Sequence, residues 1–204
     1  MSVPIIPPSI ILASKSAARR SVLDGAGVPY EAVTAGVDEE AAKASLTAEG
    51  ARPREVADAL AELKAIKVSR ARPGVLVIGA DQTLEHHKRL YDKVDTIDAA
   101  RERLKDLRGQ AHKLHSAVVV ARDGEPIWRE VASCTLTMRN FSDGFLEDYL
   151  ARDGEESLGS VGCYRLEGLG AQLFDRIEGD YFAILGLPLW GLLDLLRRHG
   201  ALPE

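Results

Sequence analysis

The order of apolar and polar positions divides the chain into short apolar runs and amphipathic segments. "SIILAS" (9–14) is rich in Ile and reads as a buried strand. Ser16 is placed to cap a helix that ends near Gly25 or Gly27. "YEAVTAGV" (30–37) alternates as a strand does, and "DEEAAKASLTAEGARP" (38–53) is small and polar and reads as a surface segment. "REVADALAELKAIKVSRA" (54–71) has helical apolar spacing at Val56, Leu60, Leu63 and Ile66, and Pro73-Gly74 closes that unit. "VLVIGAD" (75–81) is the strongest strand, apolar on both faces and therefore central.

The second half changes rhythm. "DAARERLKDLRG" (98–109) is a charged amphipathic helix stopped by Gly109. "HKLHSAVVVAR" and "IWREVASCTLTMR" flank Asp123-Gly124 and predict a long hairpin. "SDGFLEDYLARDG" (142–154) opens on a Ser cap and reads as a helix, and the glycine-rich 161–181 stretch reads as loop with strand pieces. "LPLWGLLDLLRRHG" (187–200) is a helix with Pro188 near its start and Gly200 past its end. No repeat, low-complexity tract or linker divides the chain. The expectation is one domain over 1–204, an α/β fold built on a mixed twisted sheet with a ligand cleft.

Composition narrows the function classes. A formal net charge of −5 over 204 residues argues against a general nucleic-acid binder, so any site for an anion must gather its positive charge locally. Cys134 and Cys163 form no C-x-x-C, which suits a reduced, intracellular protein. "MSVPIIPPS" lacks the basic and apolar regions of a secretory signal, and the longest apolar run is too short and Pro-interrupted to span a bilayer. The expected location is cytoplasmic, with no membrane partner.

Asp81 follows "VLVIGA" at the C-terminal end of the central strand, where ligands bind in open α/β sheets. A carboxylate there can hold a divalent cation or act as a base toward water, although a strand-end Asp also suits a turn cap. Ser14, Ser16, Arg19 and Arg20 bracket a helix N-terminus, whose free N–H groups and dipole favour an anion. The plainer alternative is a Ser cap followed by two solvated arginines. Lys64 lies at the edge of its helix's apolar face and can reach a cleft, while Lys67 is nearer the middle of that face. Lys93 taken alone is a surface lysine, and Asp38, Glu39 and Glu40 either complete a metal site or are solvated. His112 and His115 are three apart on a strand and point to opposite faces, which argues against a shared zinc.

In order and spacing these motifs resemble the Maf family of nucleoside triphosphate pyrophosphatases, the septum-formation inhibitor-like proteins, over nearly the whole chain. "LASKSAARRSVL", "VDE" at 37–39, "LAELKA" spaced before "VIGAD", "EGLGAQLFDRIEGDY" and "LGLPL" carry the likeness. The resemblance implies a two-lobed α/β fold with a cleft, often dimeric. It also implies hydrolysis of a noncanonical or modified nucleoside triphosphate to monophosphate and pyrophosphate, with Mg²⁺ or Mn²⁺. It assigns Asp81 as proton acceptor and metal-linked acid, Glu39 as the partner for the cation, and Ser14, Arg19, Arg20, Lys64 and Lys93 to the phosphates. Gln82 and Glu167 are similar to the subgroup that prefers 7-methyl-GTP, and a carboxylate at 167 can accept from guanine N1–H and its exocyclic amine.

Four places depart from the family pattern. Ala17 stands for Pro, Ser21 for Glu and Ala183 for Asn, and "QTLEHHKRLYDKV" replaces an Asp-Gly turn ending in Gly-Lys-Pro. His87-Lys88 is a poor tight-turn pair, and Asp92 is positioned to neutralise Lys93 in part. The altered hairpin motivates an alternative, a nucleotide-binding regulator of cell division that does not hydrolyse.

Overall fold

A computed structural model describes residues 9–204; the reading of 1–8 as lacking a signal lies outside the described residues. The frame is a seven-stranded mixed sheet in the order β2-β1-β3-β5-β6-β7, with β4 pairing β3 off that path. The strands are β1 (Ile10–Leu12), β2 (Glu31–Ala32), β3 (Leu76–His86), β4 (Arg89–Tyr91), β5 (Ala111–Arg122), β6 (Glu125–Met138) and β7 (Phe174–Glu178). β1 runs parallel to β2 and β3, and every other pairing is antiparallel.

The helices are α1 (Ala17–Gly25), α2 (Glu39–Ala48), α3 (Pro53–Arg70), α4 (Ile97–Leu107), α5 (Asp143–Ser157), α6 (Tyr181–Ile184) and α7 (Trp190–Arg198). Ser16, Asp38, Thr96 and Ser142 cap α1, α2, α4 and α5 by accepting from the backbone N–H three residues on. Among the described residues no helix is long and apolar enough to cross a membrane.

Strand alternation assigns the layers. Val119, Ala117 and Ala121 of β5 meet Ala57, Ala61 and Ala65 of α3 on one face. On the other face, Ile78, Ala80 and Val118 join Leu23 of α1 and the leucines of α7. Further along the same face, Leu84, Leu114 and Leu136 pack with α4 and α5.

Four expectations need correction. β3 does not end at Asp81 but runs on to His86, because β5 pairs with it continuously from Val77 to Glu85. The 30–37 strand is only the exposed pair Glu31–Ala32. The 38–53 surface segment contains a helix, α2, which buries no residue and therefore leaves no apolar stripe in the sequence. On α3 Val56 and Leu60 are buried as expected, but the row continues through Ala57, Ala61, Lys64, Ala65 and Val68, while Leu63 is 44% exposed, Ile66 is half-buried and Lys67 is exposed. Alanine carries little apolar signal, yet it is what allows a helix to lie close to a strand. The two hairpins also differ from each other. Asp123-Gly124 forms the expected turn between β5 and β6 with positive φ at both residues. His87 and Lys88 adopt the same left-handed turn with φ of 49° and 63°, so the β3–β4 hairpin closes without the glycine that usually allows it.

Candidate active site

Gly79 is where the site begins. A Cβ on it would lie 2.2 Å from the carbonyl oxygen of Ala61 and 2.6 Å from the amide of Ala65, so only glycine lets α3 lie this close to β3. Two residues along β3 on the same face is Asp81, and the close approach brings Lys64 Nζ within 2.7 Å of its Oδ1. Thr83, next on that face, donates to the carbonyl of Pro53 at 2.8 Å and fixes the start of α3. Lys64 and Asp81 are 6% and 8% exposed, a depth at which each charge must be paired. Lys64 Nζ also contacts Glu39 Oε2 at 2.9 Å, so an ammonium stands between the two carboxylates expected to share a cation. Neither Asp81 Oδ2 nor Glu39 Oε1 has a hydrogen-bond partner among the described residues.

Arg19 is 8% exposed and is pinned from three sides. Its Nε donates to the carbonyl of Gly186 at 2.9 Å, and its Nη1 donates to that of Ala80 at 2.9 Å and to Ser14 Oγ at 3.1 Å. It therefore joins the end of α6, the middle of β3 and the loop after β1, and leaves Nη2 without a protein partner among the described residues. Burial lowers its pKa, and the nearby Asp81 and Glu39 carboxylates offset this. Gln82, one residue past Asp81, points to the opposite face. Its amide nitrogen donates to Ser116 Oγ at 2.8 Å and to the carbonyl of Ile184 at 2.9 Å, which holds α6 from beneath.

These residues border a cleft of about 1640 Å³, which also takes in Lys93 and Glu167. Of the candidate residues, Ser14, Arg19, Glu39, Lys64, Asp81, Gln82, Lys93 and Glu167 line it; Arg20 lies on the exposed side of α1, bonded to the carbonyl of Lys15. Lys93 has no ion-pair partner among the described residues, and its pKa is lowered first by burial and then by the Arg19 charge. Asp92 does not neutralise it: the Asp92 carboxylate pairs with Lys43 of α2.

Sequence reasoning missed Lys43, Arg103 and Arg165. Arg165 lines the cleft and is anchored by the buried Asp153. Nothing in their local spacing marks them, since their partners come from distant segments.

Among the described residues no group of three His, Cys, Asp or Glu side chains is arranged around a metal position. His112 bonds Tyr164 Oη at 2.7 Å, while His115 contacts Ser133 and Glu85, so the two histidines do face opposite ways.

Comparison with known proteins identifies the family. The family described as Maf-like protein matches residues 9–199. A nucleoside triphosphate pyrophosphatase of Caulobacter vibrioides is 65% identical over 193 residues, covering 95% of this chain and 96% of that one. Another of that name, from Granulibacter bethesdensis, is 54% identical over 95% of this chain and 98% of its own. A 7-methyl-GTP pyrophosphatase of Rhizobium meliloti is 50% identical over 96% of this chain and 98% of its own. The family match over residues 9–199 and the similarity across nearly the whole chain show that the chain belongs to the Maf family.

Proposed function

We propose that the chain hydrolyses a nucleoside triphosphate to its monophosphate and pyrophosphate, in the cleft centred on Asp81. The observation that carries this reading is the buried Asp81–Lys64 pair facing Glu39, with Arg19 and Lys93 beside it. The names borne by full-length relatives at 50–65% identity support it.

Charge supports a divalent cation as part of the reading. The cleft lining contains six cationic side chains, Lys15, Arg19, Lys43, Lys64, Lys93 and Arg165, against seven acids, Glu39, Glu40, Asp81, Asp92, Asp95, Glu156 and Glu167. A lining with that balance needs imported positive charge to hold a triphosphate. The second oxygens of Asp81 and Glu39 are hard donors suited to Mg²⁺ or Mn²⁺, and a site of this kind takes its remaining ligands from water and phosphate. When bound, the cation neutralises phosphate charge and acidifies bound water.

The protein's own groups do the positioning that phosphoryl chemistry requires. The N–H groups opening α1, with Ser14 and Arg19 Nη2, hold phosphate oxygens. Lys93 offers a partly desolvated ammonium to the departing pyrophosphate. Asp81 takes the proton of the attacking water, and Lys64, bonded to its Oδ1, keeps the carboxylate oriented. Glu167, exposed at the far side of the cleft, suits the donor edge of a guanine and favours 7-methyl-GTP among substrates.

The test is pyrophosphate release from a panel of 7-methyl-GTP, UTP, dTTP and pseudouridine triphosphate, with Mg²⁺, with Mn²⁺ and with chelator. Turnover of at least one nucleotide, abolished by chelator, is the expected result. Nucleotide binding without release from any of the four would instead support the non-hydrolysing regulator, and orthophosphate as the sole product would overturn attack at the α-phosphorus.

A further inference from the structure

The two walls of the cleft are tied together by one side chain that lies behind it. Arg103 of α4 donates from Nη1 to the carbonyl of Asp92 at 2.9 Å and to the carbonyl of Val161 at 2.8 Å. Its guanidinium carbon lies 4.4 Å from the centroid of the Tyr91 ring. Asp92 immediately precedes Lys93, and Val161 begins the stretch that runs to Glu167. One planar group therefore sets the spacing between the wall that carries Lys93 and the wall that carries Glu167. The Asp92 side chain is held separately by Lys43, so both ends of that residue are fixed by cations.

We infer that Arg103 is a positioning residue for the phosphate site, acting through Lys93. This rests on the proposed reading in which Lys93 contacts phosphate. Val94 stands where the family pattern has proline, so the backbone beside Lys93 lacks that fixed φ, and Arg103 holds it from the neighbouring helix. Arginine suits the task because one flat group can stack on Tyr91 while its N–H bonds reach two carbonyls. Lysine keeps the charge and one or both bonds but loses the stacking plane.

The inference is tested by a double-mutant cycle on the full chain: wild type, Arg103→Met, Lys93→Met and the double variant, with Arg103→Lys as the conservative control. Two readouts are taken, kcat and KM for the best nucleotide of the panel, and the affinity for inorganic pyrophosphate by calorimetry. The expected result is a KM raised about 10-fold in Arg103→Met with a smaller change in kcat, and partial recovery in Arg103→Lys. In the Lys93→Met background the Arg103 substitution should cost less than about 2-fold, because what it positions is gone.

Equal losses in both backgrounds would assign Arg103 a general structural role and overturn the inference, as would unchanged KM and pyrophosphate affinity in Arg103→Met. If Arg103→Met does not fold, the cycle is run with Arg103→Lys and the same coupling decides it. Failure of the catalytic reading shows differently, as wild type that releases no pyrophosphate from any nucleotide; the coupling is then read in pyrophosphate affinity alone. Wild type that does not bind pyrophosphate, or binding indifferent to Lys93→Met, would remove the role of Lys93 and the inference with it.

Discussion

Two helices each deliver one charge to the same cluster, and they are held by different forces. α3 lays a row of small residues against β3 and β5, buries nine of its positions, and presents Lys64 from a depth where water does not compete. α2 buries nothing. It is held through Glu39 to Lys64 and through Lys43 to Asp92, both pairs with at least one partner half-exposed. Lys64 and Asp81 are thus fixed by packing, which is insensitive to salt, whereas Glu39 is fixed by contacts that ionic strength weakens. The half of the cluster that must not move is built into the core, and the half that meets solvent is attached to it by charge.

The comparison is broken most directly at its buried centre. Asp81→Asn keeps the shape and one acceptor for Lys64, so the fold should persist in circular dichroism. Turnover should fall on the order of 10²-fold or more, equivalent to about 2.7 kcal/mol of barrier. Unchanged turnover would sink the assignment of Asp81.

Gly79→Ala attacks the packing itself. Its new Cβ meets backbone of α3, which cannot swing aside as a side chain would, so α3 must shift. We expect a loss of about 1–3 kcal/mol in urea unfolding together with reduced turnover, because the shift separates Lys64 from Asp81. Full stability in this variant would show that the close approach is not what holds the pair.

A buried polar pair far from α3 sharpens the same point. Burial, with a smaller contribution from the His86 charge, pushes the His112 pKa from its ordinary 6.5 down to about 3. The folded state then binds fewer protons than the unfolded one between those values. Stability should fall as pH drops below 6.5, by about 1.4 kcal/mol per unit until about pH 3. His112→Asn should flatten that limb of an acid titration followed by thermal unfolding, and an unaltered slope would place its cause elsewhere.

Lys43→Met, on the weakly held helix, should change stability by less than about 1 kcal/mol. It should also lessen the salt dependence of KM. A loss as large as that of Gly79→Ala would abolish the distinction between the two helices.

The same contrast decides what was legible in the sequence. Patterning records burial, so α3 was visible and α2 was not. Even on α3, Leu63 and Ile66 outweighed the alanines that make the contact, and the geometry therefore favoured Lys67 over Lys64. The extent of β3 was hidden because its later half is polar at every position but Leu84, and pairing with β5 and β4 rather than an apolar pattern carries the strand through Thr83 and Glu85. Cleft residues next to apolar motifs, such as Ser14, Arg19 and Asp81, could be picked out locally and by their family pattern. Arg103 and Lys43 could not, because their meaning lies in carbonyls and carboxylates brought close only by the fold.

The sheet topology has a consequence for the making of the molecule. β5 and β6 are joined by a two-residue turn, and their pairing closes almost no loop. β1 pairs in parallel with β3, Ile10 opposite Leu76, so that contact must close a long one. Synthesis proceeds from the N-terminus. Ser14 and Arg19 are therefore among the first residues of the cleft to be made, and Arg19 waits for Ala80 and then Gly186 before its hydrogen bonds exist. The cleft is begun early and completed late, closed by the segment from Ile184 to Gly186 at the end of α6.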